Sequence, residues 1–177
     1  MPGANDNLSG VAVLVALAEA LRERPVEGLR VLLVSCGSEE VLQGGIHGFA
    51  ERHFPALPPE STWVVNHDSV GSPHLALIEG EGPFVMEDFE PAFKDLVEET
   101  AEQSGIELRR GLRARLSTDA VIPHRGGYPV ANFVSVNAWK AVSNYHWPTD
   151  VPENVDYSTV ADAAELTLRI AERLGGG

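Results

Sequence analysis

The chain reads as an α/β protein, a sheet covered by helices on both faces, and three observations predict it. The run rich in Val and Leu at residues 29–36 has the character of a strand buried on both sides, and residues 130–136 read as a further strand. Other segments repeat their apolar residues at helical spacing, as Val11, Leu14, Leu17 and Leu21 do. The two kinds of segment alternate along 177 residues without a repeat, a low-complexity tract or a linker, so residues 1–177 are expected to form a single domain.

In chain order, residues 2–7 are turn-rich and a helix is predicted from Leu8, capped by Asp6 or Asn7 and stopped by Pro25. The strand at 29–36 follows, then a helical stretch near 42–53 weakened by Gly44, Gly45 and Gly48. Prolines at 55, 58 and 59 break the chain before a second buried strand at 63–66, and residues 75–78 read as a third. An amphipathic helix spans 89–103 and ends at Gly105. Residues 106–116 are extended and hold Arg109, Arg110, Arg113 and Arg115, read as a solvated edge strand. A short helix at 118–125, a fourth strand at 130–136, an aromatic loop at 143–148 and a last helix at 158–174 complete the pattern.

Composition narrows the partners. Acidic residues number 26 against 13 basic ones, a net charge of −13, which excludes nucleic acid and anionic membranes as expected partners and leaves room for cations. Residues that are 44% hydrophobic and 22% charged are ordinary for a globular chain, and no apolar run reaches membrane-spanning length. The one cysteine, Cys36, is read as a packing residue. The sequence assigns no compartment.

Gly37-Ser38-Glu39-Glu40 follows the first strand, at the carboxyl end where ligands of open α/β sheets bind. Two neighbouring acids held there repel each other unless something positive lies between them. A metal ion would let one glutamate coordinate while the other takes a proton from water; the alternative is an acidic solvated loop. Asp6 and Asp68 fall at comparable points, before a helix and after a strand, and His146 lies in the late aromatic loop. Carboxylates with an imidazole suit Zn²⁺.

These segments resemble the zinc aminopeptidases with co-catalytic metals, the bacterial leucine-type enzymes and, more distantly, the glutamate carboxypeptidases. The matching motifs are Pro2-Gly3-Ala4-Asn5-Asp6-Asn7, the Glu39-Glu40 pair, Asn66-His67-Asp68-Ser69-Val70-Gly71, and Tyr145-His146 with Thr149-Asp150-Val151-Pro152-Glu153-Asn154. The resemblance implies a three-layer α/β/α fold with a mixed, mostly parallel central sheet, and peptides with a free N-terminus as substrates. It implies that Asp6 bridges two zinc ions, that Glu40 and His146 complete one ion's ligands, and that Asp68 ligates the other. Glu39 would be the general base, and Tyr145 would hydrogen-bond the developing oxyanion.

Two departures stand out. Thr118-Asp119-Ala120 lacks the histidine that follows the aspartate in the family. The family also takes the second zinc's histidine from a strand upstream of the Asp6 segment, so a domain lacking its N-terminal strands is expected, with a weak second zinc site, low activity on its own and homo-oligomer formation through a bare sheet edge. His67 is a poor substitute, because neighbouring strand residues face opposite ways. His47, His53, His74 and His124 are read as structural or surface residues. A glutaminyl-cyclase-like acyltransferase with one zinc, and a non-catalytic scaffold relative, are the competing readings.

Overall fold

A computed structural model describes residues 2–176. Five strands form one mixed sheet: β1 (Val64–His67), β2 (His74–Glu81), β3 (Glu87–Asp88), β4 (Arg109–Ala114) and β5 (Val130–Val136). The order is β1-β5-β2-β3, with β4 also pairing with β2. β1 runs parallel to β5 and β4 parallel to β2, whereas β2 is antiparallel to β5 and β3. β5 is buried along its whole length between helices on both faces, with the polar Asn132 and Ser135 buried among its apolar residues.

Helices α1 (Leu8–Glu23), α3 (Pro91–Ser104) and α5 (Tyr157–Gly175) pack on one face. Their Val13, Leu17, Phe93, Val97, Ala163 and Leu166 meet Leu75, Leu77 and Phe133 of the sheet. Each large side chain buried there is worth about 1.5–3 kcal/mol. The opposite face carries a smaller core around Ala76, Ile78, Val134 and Phe89, near α4 (Val121–Arg125), and α2 (Gly44–His53) contacts α4. Local chemistry sets the helix ends. Asn7 Oδ1 accepts from Gly10 N–H, Glu90 caps α3 through Ala92 and Phe93, and Gly105 closes α3 in the left-handed region at φ 68°.

Several expectations need correction. Residues 29–36, predicted as a buried central strand, belong to no regular element. Among the described residues no backbone hydrogen bond joins them to the sheet, and Val31, Leu32 and Leu33 are 41%, 48% and 39% exposed. The apolar run has strand character, but no strand lies beside it to pair with. The arginines of β4 are not simply solvated either. Arg110 pairs with Glu79 at 3.1 Å and with Glu98, and Arg113 pairs with Asp88 at 2.7 Å, so they latch β4 to β2, β3 and α3. β2 also runs three residues beyond the expected end at 78, through Glu81, and the two-residue β3 was not foreseen.

Candidate functional site

Four loops converge at the carboxyl ends of residues 29–36 and β1. The first carries Asp6. Its backbone is held by Asp150, whose two carboxylate oxygens accept from Asn5 N–H at 2.7 Å and Asp6 N–H at 3.1 Å. Asn5 Oδ1 accepts from Gly71 N–H, and Asn7 reaches β1 by donating to His67 O at 2.9 Å and accepting from Ser69 N–H at 3.0 Å. These bonds leave α1 so close to β1 that a Cβ on Gly10 would lie 2.6 Å from His67 O. Only glycine allows that approach.

The second loop carries the glutamate pair. Ser38 sits at φ 59°, and the turn is tied by Gly45 N–H to Gly37 O and Gln43 N–H to Glu39 O, both 2.9 Å. Gln43 Nε2 donates to Ser117 O, which brings the turn holding Asp119 against it. The third position is Asp68, whose Oδ1 accepts from Ser69 Oγ at 3.1 Å. The fourth is His146, at φ 57° in a loop closed by Trp147 N–H to Asn144 O, its ring stacked on Tyr145 with centroids 3.9 Å apart. Left-handed backbone at a residue with a Cβ costs about 1–2 kcal/mol, so tertiary bonds must hold these two turns.

The result is a compact ligand group. His146 Nε2 lies 2.6 Å from Glu40 Oε1 and 3.2 Å from Asp6 Oδ2. One donor atom from each of Asp6, Glu40 and His146 falls within 4.8 Å of the others. Glu39 stands beside this group and outside it, and among the described residues Asp68 joins no such cluster. His67 turns away: its Nε2 is 3.2 Å from Thr167 Oγ1 of α5, its ring stacks on Phe133, and burial lowers its pKa to about 4. His47 and His53 are exposed on α2, and His124 packs edge-on against Phe89.

Charge crowding dominates the electrostatics. Burial, with Asp68, Asp119, Glu40 and Asp6 nearby, pushes Glu39 up to about 7. Burial and Asp6 push Asp68 up to about 6. Burial raises Asp6 above the usual carboxylate range against the pull of His146. Tyr145 is pushed up to about 12 by burial and the same carboxylates. Five carboxyl groups around one imidazole are badly matched among themselves and well matched to a cation. Two carboxylates and an imidazole are donors that suit zinc.

Three supporting residues surround the site: Asp150 and Asp119 lie in motifs visible in the sequence but without an assigned role there, and Glu81 carries no sequence signal of its own. Glu81, 1% exposed at the end of β2, accepts from Thr118 N–H at 3.3 Å and from Asn132 Nδ2 at 3.3 Å, which fixes the turn that presents Asp119. Asp119 Oδ1 is buried without a hydrogen-bond partner among the described residues, beside the Cys36 thiol.

Acidic groups and one imidazole gathered over the strand ends of a mixed α/β sheet form a candidate metal centre, and the chain belongs to peptidase family M28, whose model matches residues 1–171. It is 26% identical over 179 residues to aminopeptidase YwaD of Bacillus subtilis (strain 168), covering 93% of this chain and 36% of that protein. Its fold is similar to that of BSAP, a zinc aminopeptidase from Bacillus subtilis, with a TM-score of 0.73, 22% identity, and coverage of 97% and 42%. It is also similar to a glutaminyl cyclase from an Acidobacteriales bacterium, with a TM-score of 0.75, 16% identity, and coverage of 98% and 62%. The chain thus spans well under half the length of the two aminopeptidases.

Proposed function

We propose that the chain is the catalytic part of a zinc aminopeptidase, which hydrolyses the peptide bond next to a free N-terminus. The observation that carries this reading is the convergence of Asp6, Glu40 and His146 within 4.8 Å, with Glu39 beside them, in a chain of a peptidase family. Bound zinc would supply Lewis-acid polarisation and a more acidic water. Asp6, Glu40 and His146 would hold one ion, and Asp6 with Asp68 would offer carboxylates to a second.

Glu39 takes the proton from the attacking water and returns it to the leaving amine. A pKa near 7 suits both transfers near neutral pH. The Tyr145 phenol, held protonated by burial and by the surrounding carboxylates, donates to the oxyanion as it forms. Glu39→Gln should keep the fold and bound zinc and lower turnover by about 10²–10⁴-fold or more, measured with aminoacyl-anilides. Turnover at the wild-type rate would remove Glu39 from the mechanism.

A second reading is favoured by one observation: among the described residues a full three-donor group exists at a single position, which is enough for a one-zinc acyltransferase that cyclises N-terminal glutamine. Mass spectrometry on one Gln-initiated peptide separates the two. Release of free glutamine supports the peptidase, and a ring-closed peptide formed with loss of ammonia supports the cyclase.

A further inference from the structure

Glu81 is 1% exposed at the end of β2, near enough to Asp68 and Glu39 for their charges to act on it, and no step of the proposed chemistry uses it. We infer that Glu81 is a positioning residue of the reaction: through Thr118 and Asn132 it holds both the loop that carries Glu39 and the strand end that carries Asp68. This role deepens the proposed function and rests on it for the effect on turnover.

Stability does not account for such a group. The two oxygens of Glu81 accept from Thr118 N–H at 3.3 Å, from Thr118 Oγ1 at 3.1 and 3.2 Å, and from Asn132 Nδ2 at 3.3 Å. All of these donors are neutral. A carboxyl buried among neutral donors costs more than an apolar side chain of similar volume at the same point. What it provides is a common acceptor for two segments far apart in sequence, both of them buried.

One path from this acceptor leads to Glu39. Thr118 Oγ1 accepts from Ala120 N–H at 3.2 Å, which shapes the turn that places Asp119 beside the Cys36 thiol. Ser117 O, at the head of that turn, accepts from Gln43 Nε2 at 2.9 Å, and Gln43 N–H donates to Glu39 O at 2.9 Å. The other path leads to Asp68. Asn132 Oδ1 accepts from Asn66 Nδ2 at 2.9 Å across the paired strands β5 and β1, two residues before Asp68. The general base and a carboxylate of the site thus hang from one buried side chain. A shift of about 1 Å at a reacting group can cost about 10²-fold in rate.

Thr118 Oγ1 has no bonding capacity to spare. It gives its hydrogen to Glu81 and its two lone pairs to Ala120 N–H and Asn132 Nδ2. An amide at position 81 would turn an NH₂ toward an oxygen whose lone pairs are taken. Glu81→Gln therefore keeps the volume and disturbs the turn.

The test compares Glu81→Gln, Thr118→Val, Thr118→Ser and Gln43→Met in the 177-residue chain, with aminoacyl-anilide turnover expressed per bound zinc. Glu81→Gln and Thr118→Val should lower kcat by about 10–100-fold with KM within about twofold, whereas Thr118→Ser, which keeps the hydroxyl, should stay within about threefold of wild type. Gln43→Met cuts the path to Glu39 outside the core. It should lower kcat without moving the unfolding midpoint, and added to Glu81→Gln it should lower kcat by less than about threefold more. A second readout needs no turnover. Cys36 is the only cysteine of the chain, and burial with the Asp119 carboxylate pushes its thiol up to about 11. In metal-free protein below its unfolding midpoint, Glu81→Gln and Thr118→Val should speed iodoacetamide modification of Cys36 by about tenfold, and Thr118→Ser should not.

Lower stability with kcat per zinc unchanged would make Glu81 a structural anchor only. Equal effects of Thr118→Ser and Thr118→Val would show that the hydroxyl transmits nothing, and unchanged Cys36 rates that the turn does not depend on Glu81. Each of these overturns the inference. A wild-type chain that binds zinc and cleaves no anilide removes the proposed function instead, and the Cys36 rates then decide whether Glu81 holds the turn.

Discussion

Asp150→Asn should loosen the metal group without touching a ligand. Asp150 is buried and divides its two oxygens between Asn5 N–H, at 2.7 Å, and Asp6 N–H, at 3.1 Å. Its own backbone accepts from Ala4 N–H at 3.2 Å and donates to Trp147 O at 3.0 Å. One residue therefore stitches the Asp6 segment to the His146 loop. An asparagine keeps one oxygen, which the shorter bond to Asn5 claims, and turns an NH₂ toward the Asp6 donor. The loss is one hydrogen bond to a charged group, worth about 1.5–3 kcal/mol, plus a buried N–H left without an acceptor. A net cost of about 2–3 kcal/mol follows, or roughly 4–12 °C in Tm for a chain of this length. Because the freed N–H belongs to Asp6, zinc affinity should fall by about 10–100-fold, the usual effect of losing a group that orients a ligand. Urea unfolding at fixed saturating chelator gives the first quantity, and zinc competition against a chromogenic chelator gives the second. A variant with the wild-type midpoint and zinc affinity would refute the idea that Asp150 sets the geometry of Asp6.

Other perturbations test neighbouring parts of the argument. His146→Ala should leave the fold intact and lower bound zinc, read by metal analysis after gel filtration; equal zinc content in both proteins would exclude His146 as a ligand. In chelated protein, the Glu81 carboxyl, raised by burial from 4.5 to about 7, holds a proton that the unfolded chain has already lost across that window. Stability is therefore highest below pH 4.5, falls as pH rises from 4.5 to 7 and levels off above, by up to roughly 3 kcal/mol from this group. Glu81→Gln should flatten that slope, and an unchanged pH profile of unfolding midpoints would contradict it. Gly10→Ala would force a methyl to within 2.6 Å of His67 O and 2.7 Å of Asn7 Oδ1, and should cost about 1–3 kcal/mol in thermal unfolding even though alanine favours helix. An increase in Tm would show that α1 can slide away from β1.

What the sequence made legible was whatever depends on neighbours in sequence. Helices α1, α3 and α5 and the buried strand β5 follow from periodicity and caps, and Asp6, Glu39, Glu40, Asp68 and His146 stand at turns that a strand-end argument singles out. The structure brings Asp6, Glu40 and His146 together as one group. Contacts between distant parts of the chain leave no such trace. Asp150 bonds Asn5 across 145 positions, and Glu81 is a carboxyl at the end of an apolar strand whose burial becomes explicable only once Thr118 and Asn132 surround it.

Residues 29–36 separate the two kinds of information most sharply. Their composition describes the environment the segment suits, apolar on both faces and bonded on both edges. The structure shows an environment that supplies neither edge. Burying the segment is favourable only if its backbone groups find partners, since each unpaired buried N–H or C=O costs about as much as a buried aliphatic side chain gains. With no strand paired to it among the described residues, the segment stays irregular and half-exposed along a cleft lined by apolar side chains. Apolar composition thus describes the environment a segment suits, and the available hydrogen-bond partners decide the environment it obtains.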